Sequence, residues 1–171
     1  MDFLELAKER YSVRDYADRP VEREKLEKIL EAGNVVPTAV NAQPQRIYVL
    51  ESEESLKKLA ELTRCGFNAK TVLLFTYRED EAWSNPLEEG ICAGVEDVSI
   101  VATHVMLEAW ELGIGSCWVN YFPNTKLEKA FGIPAGEKSV LLMPLGYPAD
   151  GSQPSPKHSA CRDISETVRY I

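Results

Sequence analysis

The chain has 171 residues, of which 44% are hydrophobic and 27% are charged. This length fits one domain, and the composition is too apolar for a disordered chain. Because 27 acidic residues oppose 19 basic ones, the net charge is −8. A nucleic-acid or anionic-membrane surface needs a basic face, so we expect neither partner. A small phosphate ligand is compatible with this charge, since two or three clustered arginines suffice to bind it.

The sequence also predicts where in the cell the protein is located and whether it binds a metal. Its N-terminal stretch, MDFLELAKERYS, lacks the basic start, apolar core and cleavage site of a signal peptide. No apolar run approaches the roughly 18 residues that span a membrane. The cysteines, Cys65, Cys92, Cys117 and Cys161, form no CxxC or Cys/His pair typical of zinc or dithiol sites. We therefore predict a cytoplasmic protein with reduced thiols and no bound metal.

Apolar spacing and breaker residues divide the chain into alternating helices and strands. Asp2 is placed to cap a first helix, Pro37 ends the second, and Gly66 ends the third. The predicted helices cover residues 2–10, 22–36, 53–64, 91–112 and 123–131, and the predicted strands cover 46–50, 71–77, 116–119, 138–145 and 164–171. About five elements of each kind, in this order, predict a layered α/β or α+β domain.

The longest predicted helix, 91–112, has an apolar stripe wider than one face of a surface helix needs. Its apolar positions are Ile91, Val95, Val98, Ile100, Val101, Ala102, Val105, Met106, Ala109 and Trp110. Either this helix lies at the centre of the domain, or it also packs against a second subunit.

The C-terminal segment differs from the rest of the chain. Residues 150–156 are rich in Gly, Ser and Pro and cannot pack by themselves, whereas residues 164–171 are apolar again. We therefore divide the chain into a domain over 1–149 and an arm over 150–171 that packs across a dimer.

Two arginines and a serine alternate near the N-terminus as Arg10, Ser12 and Arg14, which we call the basic cluster. Alternate side chains of an extended segment point to the same side, so these groups converge. Such a cluster binds phosphate or carboxylate through short charge-assisted hydrogen bonds. Alternatively, the arginines are surface charges paired with neighbouring acidic residues such as Asp15 and Asp18.

A second candidate segment, residues 37–44, carries two amides and a hydroxyl between two prolines, and we call it the amide loop. Amides held in a rigid loop can recognise the mixed donor and acceptor edge of a heterocycle. Asn41 and Gln43 could equally be ordinary turn residues.

The remaining polar residues form no constellation of acid, base and nucleophile. Gly113 and Gly115 lack the GxGxxG pattern of dinucleotide binding, and we expect them to end the longest helix and to let the backbone approach a flat group. His104 fits a core or interface position, and Asp97 suits the dipole of its helix as well as it suits catalysis. An enzyme with this sequence would need a cofactor to supply its chemistry.

Four segments, taken together, are typical of one protein family. They are RYSVRDY at 10–16, LEA at 30–32 leading to PTAVNAQP at 37–44, LGIGSCW at 112–118 and LGYP at 145–148. In this order and spacing the chain resembles the FMN-dependent nitroreductase family, specifically its small members, over essentially its whole length. The resemblance implies an α+β fold with a mixed sheet flanked by helices. It also implies a homodimer over the long helix, a C-terminal arm extending to the partner subunit, and two FMN sites at the interface.

The resemblance further implies a role for each motif. The basic cluster would hold the phosphate, the ribityl chain and the pyrimidine edge, and the amide loop would come from the partner subunit. Residues 118–121 would line the ring and give a backbone N–H near the reactive nitrogen. A basic residue of the arm, Arg162 or as second choice Lys157, would complete the phosphate site. The cofactor-binding residues implied are Arg10, Tyr11, Ser12, Arg14, Pro37, Thr38, Asn41, Gln43, Trp118, Val119, Asn120, Tyr121, Lys157 and Arg162.

The chain departs from the family pattern in three places. Thr38 stands where the family often has serine, and Gln45 stands where it often has an aromatic residue. The loop over 78–86 leaves little room for the helical lid of larger members, which implies an open substrate side lined by Trp83 or Phe122.

The implied reaction is a ping-pong hydride transfer from NADH or NADPH, through FMN, to a flat electron-poor acceptor such as a nitroaromatic or a quinone. No catalytic side chain is required for it. Three alternatives stay open at this stage. They are a reductive dehalogenase or flavin-fragmenting enzyme on the same scaffold, a non-catalytic flavin storage or sensor dimer, and a dimeric α/β protein whose arginines are only surface charges.

Overall fold

The computed structural model describes residues 2–171, in which six α-helices and four β-strands occur. Their bounds are α1 Phe3–Glu9, α2 Arg23–Asn34, β1 Gln45–Leu50, α3 Glu53–Leu62, β2 Thr71–Arg78, α4 Gly94–Glu111, β3 Gly115–Ser116, α5 Asn124–Phe131, β4 Glu137–Gly146 and α6 Ile164–Thr167. Asp2 caps α1 within a capping box, as predicted, and Ser52 caps α3. None of the helices within 2–171 combines the length and the apolarity needed to cross a bilayer.

The four strands form one sheet in the order β1-β2-β4-β3, with neighbouring strands antiparallel. Side chains of β2 alternate between two cores, so this strand is buried on both faces. Leu73 and Phe75 pack in the core that contains α2 and α4, whereas Val72 and Leu74 pack with α3 and α5. A sheet with helices on both faces confirms the predicted α+β class, although its four strands within residues 2–171 pair only antiparallel and do not form the mixed sheet that the resemblance implies.

Helix α4 lies at the centre of the domain, as one of the two alternatives predicted. Val101 and Val105 are fully buried beneath α2, where a Cβ atom on Gly33 would lie 2.7 Å from a Val105 methyl. The outer surface of α4 nevertheless presents apolar side chains, since Val95 is 52% and Ile100 is 36% exposed. The chain itself therefore does not cover the whole apolar stripe.

The predicted C-terminal strand over 164–171 is wrong. Asp163 accepts a hydrogen bond from the N–H of Ser165 and forms a capping box with Glu166, which starts the short helix α6 instead. The backbone beyond it pairs with no strand within residues 2–171. The described chain consequently has four strands rather than five.

Two further predicted bounds are also wrong. The strand expected over 116–119 is only the two-residue β3 followed by a single bridge between Val119 and Leu142. The long helix begins at Gly94 rather than at Ile91, because the N–H of Ala93 donates to the Trp83 carbonyl and holds this segment in the preceding loop. The loop over 79–93 contains no helix, so it forms no helical lid.

A buried carboxylate in the sheet allows a pH-dependent prediction. Glu137 accepts hydrogen bonds from the hydroxyls of Tyr48 at 2.8 Å and Thr76 at 2.9 Å. Burial, followed by the hydrogen bond and the charge of Glu137, raises the pKa of Tyr48 to about 12. Because the unfolded pKa of tyrosine is about 10, this contribution to stability is complete below pH 10 and is lost as the pH rises through 12.

We expect Glu137→Gln to lower the pKa of Tyr48, because it removes the charge that opposes ionisation. Absorbance titration of tyrosinate measures the effect, and Tyr48→Phe identifies which of the titrating groups is Tyr48. A titration of Glu137→Gln that superimposes on that of the unmodified protein would contradict this account.

Candidate active site

The basic cluster lies on an extended segment that follows the edge of the sheet. Ser12 forms a parallel bridge with Ser116 of β3, and the N–H of Val13 donates to the Ser116 carbonyl at 2.9 Å. Val13 is fully buried, whereas Arg10, Ser12 and Arg14 line a cavity on the other side of the segment. The predicted convergence of the three side chains is therefore present.

Tyr16 fixes the C-terminal end of this segment. Its hydroxyl lies 2.9 Å from the Val13 carbonyl and 3.1 Å from the Pro144 carbonyl. Burial raises the pKa of Tyr16, so the phenol stays protonated and can donate to these oxygens. The N–H of Ala149 also donates to the Asp15 carbonyl at 3.0 Å. The basic cluster thus stands on backbone that is held at both ends.

Glycine permits the close approach between this segment and β3. A Cβ atom on Gly115 would lie 2.5 Å from a Val13 methyl, closer than packed carbon atoms come. Gly113 serves the other expected role, since its φ of +76° ends the turn that follows α4. The turn at Gly113 agrees with the sequence-based prediction, whereas the close approach at Gly115 within this chain is to Val13 and not to a flat group.

The cavity at the basic cluster has a volume of about 310 Å³. Its second wall is formed by residues of the arm. Besides Arg10, Ser12 and Arg14, the lining consists of Tyr11, Ser155, Lys157 and His158. The structure therefore brings the N-terminal cluster and the arm together within one chain.

The arm is attached here to its own domain, which the sequence analysis did not predict. The Tyr11 hydroxyl lies 3.3 Å from both the carbonyl and the Oγ of Ser152. His158 Nε2 lies 2.9 Å from the Lys8 carbonyl, which requires that Nε2 carry the proton, and its ring stands edge-on to Tyr11. From residue 159 onward the arm is exposed.

The cations around the cavity have no protein counter-charge in the part of the chain that the structure describes. No ion pair within residues 2–171 joins Arg10, Arg14 or Lys157 to a carboxylate. Asp18, one of the neighbours considered as a partner, instead pairs with Lys70 at 2.8 Å. Three unneutralised cations around one cavity favour an anionic ligand in a protein of net charge −8.

The two basic residues considered for the arm lie in different places. Lys157 lines the cavity, whereas Arg162 lies outside it and pairs with Glu166 at 3.4 Å on the exposed part of the arm. Within a single chain, only Lys157 of these two is placed beside the basic cluster.

Cys117 is buried behind the basic cluster. Burial raises the pKa of its thiol, and Arg14 and the Ser12 hydroxyl oppose this shift only in part. A thiol with a raised pKa is neutral at pH 7, so Cys117 acts here as a packing residue and not as a nucleophile.

The amide loop has a strained backbone. Val40, Asn41 and Gln43 have φ angles of +48°, +57° and +50°, and the left-handed region is especially unfavourable for a β-branched residue. Hydrogen bonds hold the loop in this form: Thr38 Oγ1 accepts from the N–H of Gln43 at 3.0 Å. The Gln43 amide donates to the Asn41 side chain at 3.0 Å. Strain maintained in this way is typical of functional sites.

The segment predicted to line the ring, residues 118–121, is anchored to β4. The N–H of Val119 donates to the Leu142 carbonyl at 2.9 Å, so it is not available to a ligand. Asn120 accepts from the Trp118 indole at 2.7 Å and donates to the Val140 carbonyl at 2.8 Å. The backbone N–H groups of Trp118, Asn120 and Tyr121 donate to no acceptor within residues 2–171, and they are the candidates for the predicted contact.

The basic cluster and the amide loop lie at opposite ends of α4. Trp110, near the C-terminal end, packs edge-on against Tyr11 with ring centroids 5.2 Å apart. Asp97, in the first turn, accepts a hydrogen bond from the N–H of Ala39 in the amide loop at 2.8 Å. Positions 97 and 110 of this helix are thirteen residue steps apart, which corresponds to about 20 Å. A single chain therefore does not place Asn41 and Gln43 at the cavity.

The sequence alone predicted no specific contact for Asp97. A sequence signal for one exists, because Asp97 lies four and eight residues before Val101 and Val105, on the buried side of α4. A carboxylate at a core-facing position indicates a specific hydrogen-bond partner.

The fold and the cavity together define an α+β protein with a candidate site for a phosphate-bearing ligand. The profile of the nitroreductase family matches residues 7–70 and 65–147. A protein of Methanothermobacter thermautotrophicus, described as a candidate NADH dehydrogenase/NAD(P)H nitroreductase, is 32% identical over 154 residues, which cover 88% of this chain and 79% of its own length. The chain belongs to the nitroreductase family.

Solved structures agree with this assignment. A nitroreductase family protein from Clostridium difficile 630 is 37% identical, with a TM-score of 0.93 over 99% of this chain and 98% of its own. A protein from Exiguobacterium sibiricum, solved in complex with FMN, has the same fold, with a TM-score of 0.84 at 21% identity, and the match covers 100% of this chain and 98% of its own. The family resemblance stated from the sequence is confirmed, and with it the class of NAD(P)H-dependent flavin oxidoreductases and FMN as the cofactor.

Proposed function

We propose that the protein is a homodimeric NAD(P)H oxidoreductase in which each of two FMN sites is built from both subunits, and that its acceptor is a flat, electron-poor molecule of the nitroaromatic or quinone type. The observation that carries this proposal is the cavity lined by three cations without protein counter-charges. The proposal is also supported by the strained amide loop. This loop lies at the N-terminal end of α4, whereas the cavity lies near the C-terminal end of that helix.

The separation along α4 supports a shared site. If two copies pack their α4 helices antiparallel, around a two-fold axis perpendicular to the helices, the N-terminal end of one helix approaches the C-terminal end of the other. The amide loop of each subunit then approaches the basic cluster of its partner. Exposed apolar side chains suit such an interface, since Val40 is 76% exposed on the amide loop and Phe3 is 69% exposed on α1. Beyond residue 159, Ile164 and Tyr170 of the arm are also exposed and available to a partner.

The residues present fit the phosphate end of FMN. A phosphate dianion offers three acceptor oxygens, and the cavity supplies two guanidinium groups, an ammonium group and a hydroxyl that can donate to them. We assign the phosphate contacts to Arg10, Ser12, Arg14 and Lys157. Tyr11 holds the arm that carries Lys157 in place.

The remaining proposed contacts surround the flavin ring. Asn41 and Gln43 of the partner subunit recognise its polar edge, with Pro37 and Thr38 shaping the loop that carries them. The backbone N–H of Trp118, Asn120 or Tyr121 donates toward the ring, and the Tyr121 side chain, which is 73% exposed, lines the open side. Phe122 lies next to it, in a cavity of about 300 Å³ that could admit a flat acceptor.

Bound FMN would supply the hydride transfer between the nicotinamide and the acceptor, and the protein's part would be to orient and to stack the reactants. In this ping-pong scheme the nicotinamide leaves before the acceptor enters the same open side. The rigid segments over 10–16 and 118–121 hold the cofactor against the sheet edge. No side chain of the chain is assigned as an acid or base, since water can supply protons on an open face.

Steady-state kinetics test this function. With NADH or NADPH as donor and nitrobenzoate or menadione as acceptor, we expect nicotinamide oxidation that depends on the acceptor and parallel double-reciprocal plots. Tight FMN binding without any acceptor-dependent turnover would instead indicate a flavin storage or sensor dimer.

The placement of the arm gives a matched pair of variants. Lys157→Ala is expected to weaken FMN binding by about 1.5–3 kcal/mol, because a charge-assisted hydrogen bond to the phosphate is lost. Arg162→Ala, a change of similar size on the exposed part of the arm, is expected to leave the FMN affinity within about twofold. Fluorescence titration with FMN measures both. If Arg162→Ala weakens FMN binding more than Lys157→Ala does, the phosphate contact is made by Arg162 of the partner subunit instead.

A further inference from the structure

Asp97 of α4 is a buried carboxylate that is incompletely hydrogen-bonded within residues 2–171. It is 2% exposed, and the other buried carboxylate within residues 2–171, Glu137, receives two hydrogen bonds from hydroxyls. Asp97 receives one from outside its own helix, from the N–H of Ala39 to Oδ1, while Oδ2 has no partner in residues 2–171. Burying a carboxylate costs stability, and an apolar residue would pack more favourably at this core-facing position.

The bond from Asp97 connects the core to a loop that is strained. Ala39 is the first residue of the single turn Ala39–Asn41, and Val40 in that turn has φ +48° and ψ +21°. A β-branched residue held in this region costs about 1–3 kcal/mol, and the conformation persists only where the surroundings fix it. The Asp97 carboxylate is the contact that ties the start of this turn to α4, the most deeply buried helix.

We propose that Asp97 is a positioning residue for flavin recognition. It holds the N–H of Ala39 and thereby sets the direction in which Asn41 and Gln43 extend toward the flavin bound to the partner subunit. The inference rests on the proposed function, because it requires that the amide loop contact the flavin. It assigns to Asp97 no contact with the cofactor itself.

Two variants remove the same hydrogen bond from opposite sides. Asp97→Ala removes the acceptor, and Ala39→Pro removes the donor N–H at the first position of a helical turn, where proline is well tolerated. Each is expected to weaken FMN binding at least tenfold and to change the visible circular dichroism of bound flavin. Because both break one interaction, the double variant is expected to be no weaker than the worse single variant.

Two controls separate positioning from general stability. Asp97→Asn keeps an oxygen that can accept from Ala39, so it is expected to restore FMN affinity to within about threefold and to restore the flavin spectrum. Thr76→Val removes a different buried hydrogen bond, to Glu137 at 2.9 Å, and is expected to lower the melting temperature without changing the flavin spectrum.

The outcomes distinguish this inference from the proposed function. If Asp97→Ala or Ala39→Pro lowers the melting temperature but leaves FMN affinity and the flavin spectrum unchanged, Asp97 is only structural and the inference is overturned. Additive losses in the double variant would overturn it as well. If Asp97→Ala does not fold, Ala39→Pro and Asp97→Asn decide the matter by the same readouts. A failure of the proposed function appears separately, as an unchanged FMN affinity when Arg14 is replaced.

Discussion

Replacing Arg14 by alanine is expected to weaken FMN binding by about 2–5 kcal/mol, which is roughly a 30-fold to several-thousand-fold rise in Kd. The guanidinium group lines the cavity without a carboxylate partner in residues 2–171, so its charge is available to the phosphate. Arg10→Ala is expected to act in the same way. Both losses should appear in fluorescence titrations of the apo protein with FMN.

The fold is expected to survive these substitutions, because Arg14 is exposed and its one hydrogen bond within residues 2–171 is to the nearby Ser12 carbonyl at 3.1 Å. Circular dichroism and the melting temperature of the apo protein test this point. Arg23→Ala is a suitable control, since Arg23 pairs with Glu27 on the surface of α2. If both cluster variants bind FMN as tightly as this control, the phosphate lies elsewhere.

Gly115→Ala is expected to weaken FMN binding without touching the ligand. The new methyl would lie 2.5 Å from one Val13 methyl and 2.9 Å from its Cβ, so the segment that carries the basic cluster must move away from β3. Crowding of this kind costs about 1–3 kcal/mol of folding stability. We expect a lower melting temperature together with a loss of FMN affinity of tenfold or more.

Gly66→Ala provides the comparison for this variant. A Cβ atom on Gly66 would lie 3.6 Å from a Leu59 methyl, which is an ordinary contact, so little change is expected in either stability or FMN affinity. A Gly115→Ala protein that melts earlier but binds FMN normally would show that the position of Val13 does not determine the geometry of the site.

Much of this fold could be predicted from the sequence because local signals determine it. The capping residues Asp2 and Ser52 begin α1 and α3, and an uninterrupted apolar run marks β2, the strand that is buried on both faces. The C-terminal segment was predicted wrongly because an apolar, β-branched pattern indicates a strand only where a neighbouring strand exists to pair with it. Within residues 2–171 no such neighbour is present, and the local capping box at Asp163 decides the conformation.

The candidate site was predictable in its residue types but not in its arrangement. The convergence of Arg10, Ser12 and Arg14 follows from alternation along an extended segment, which is a local property. The contact of the arm with Tyr11 and the bond from Asp97 to the amide loop join residues far apart in sequence. No local pattern encodes such contacts, since they depend on how the elements pack.

The central claim is that the cavity at the basic cluster holds the phosphate of FMN. Binding of FMN and of riboflavin to the apo protein, compared under the same conditions, tests it most directly, because the two ligands differ only in the phosphate. We expect the purified protein to release FMN on denaturation. We also expect riboflavin to bind the apo protein at least about 100-fold more weakly than FMN. Equal affinities for the two flavins, or no binding of either, would contradict it.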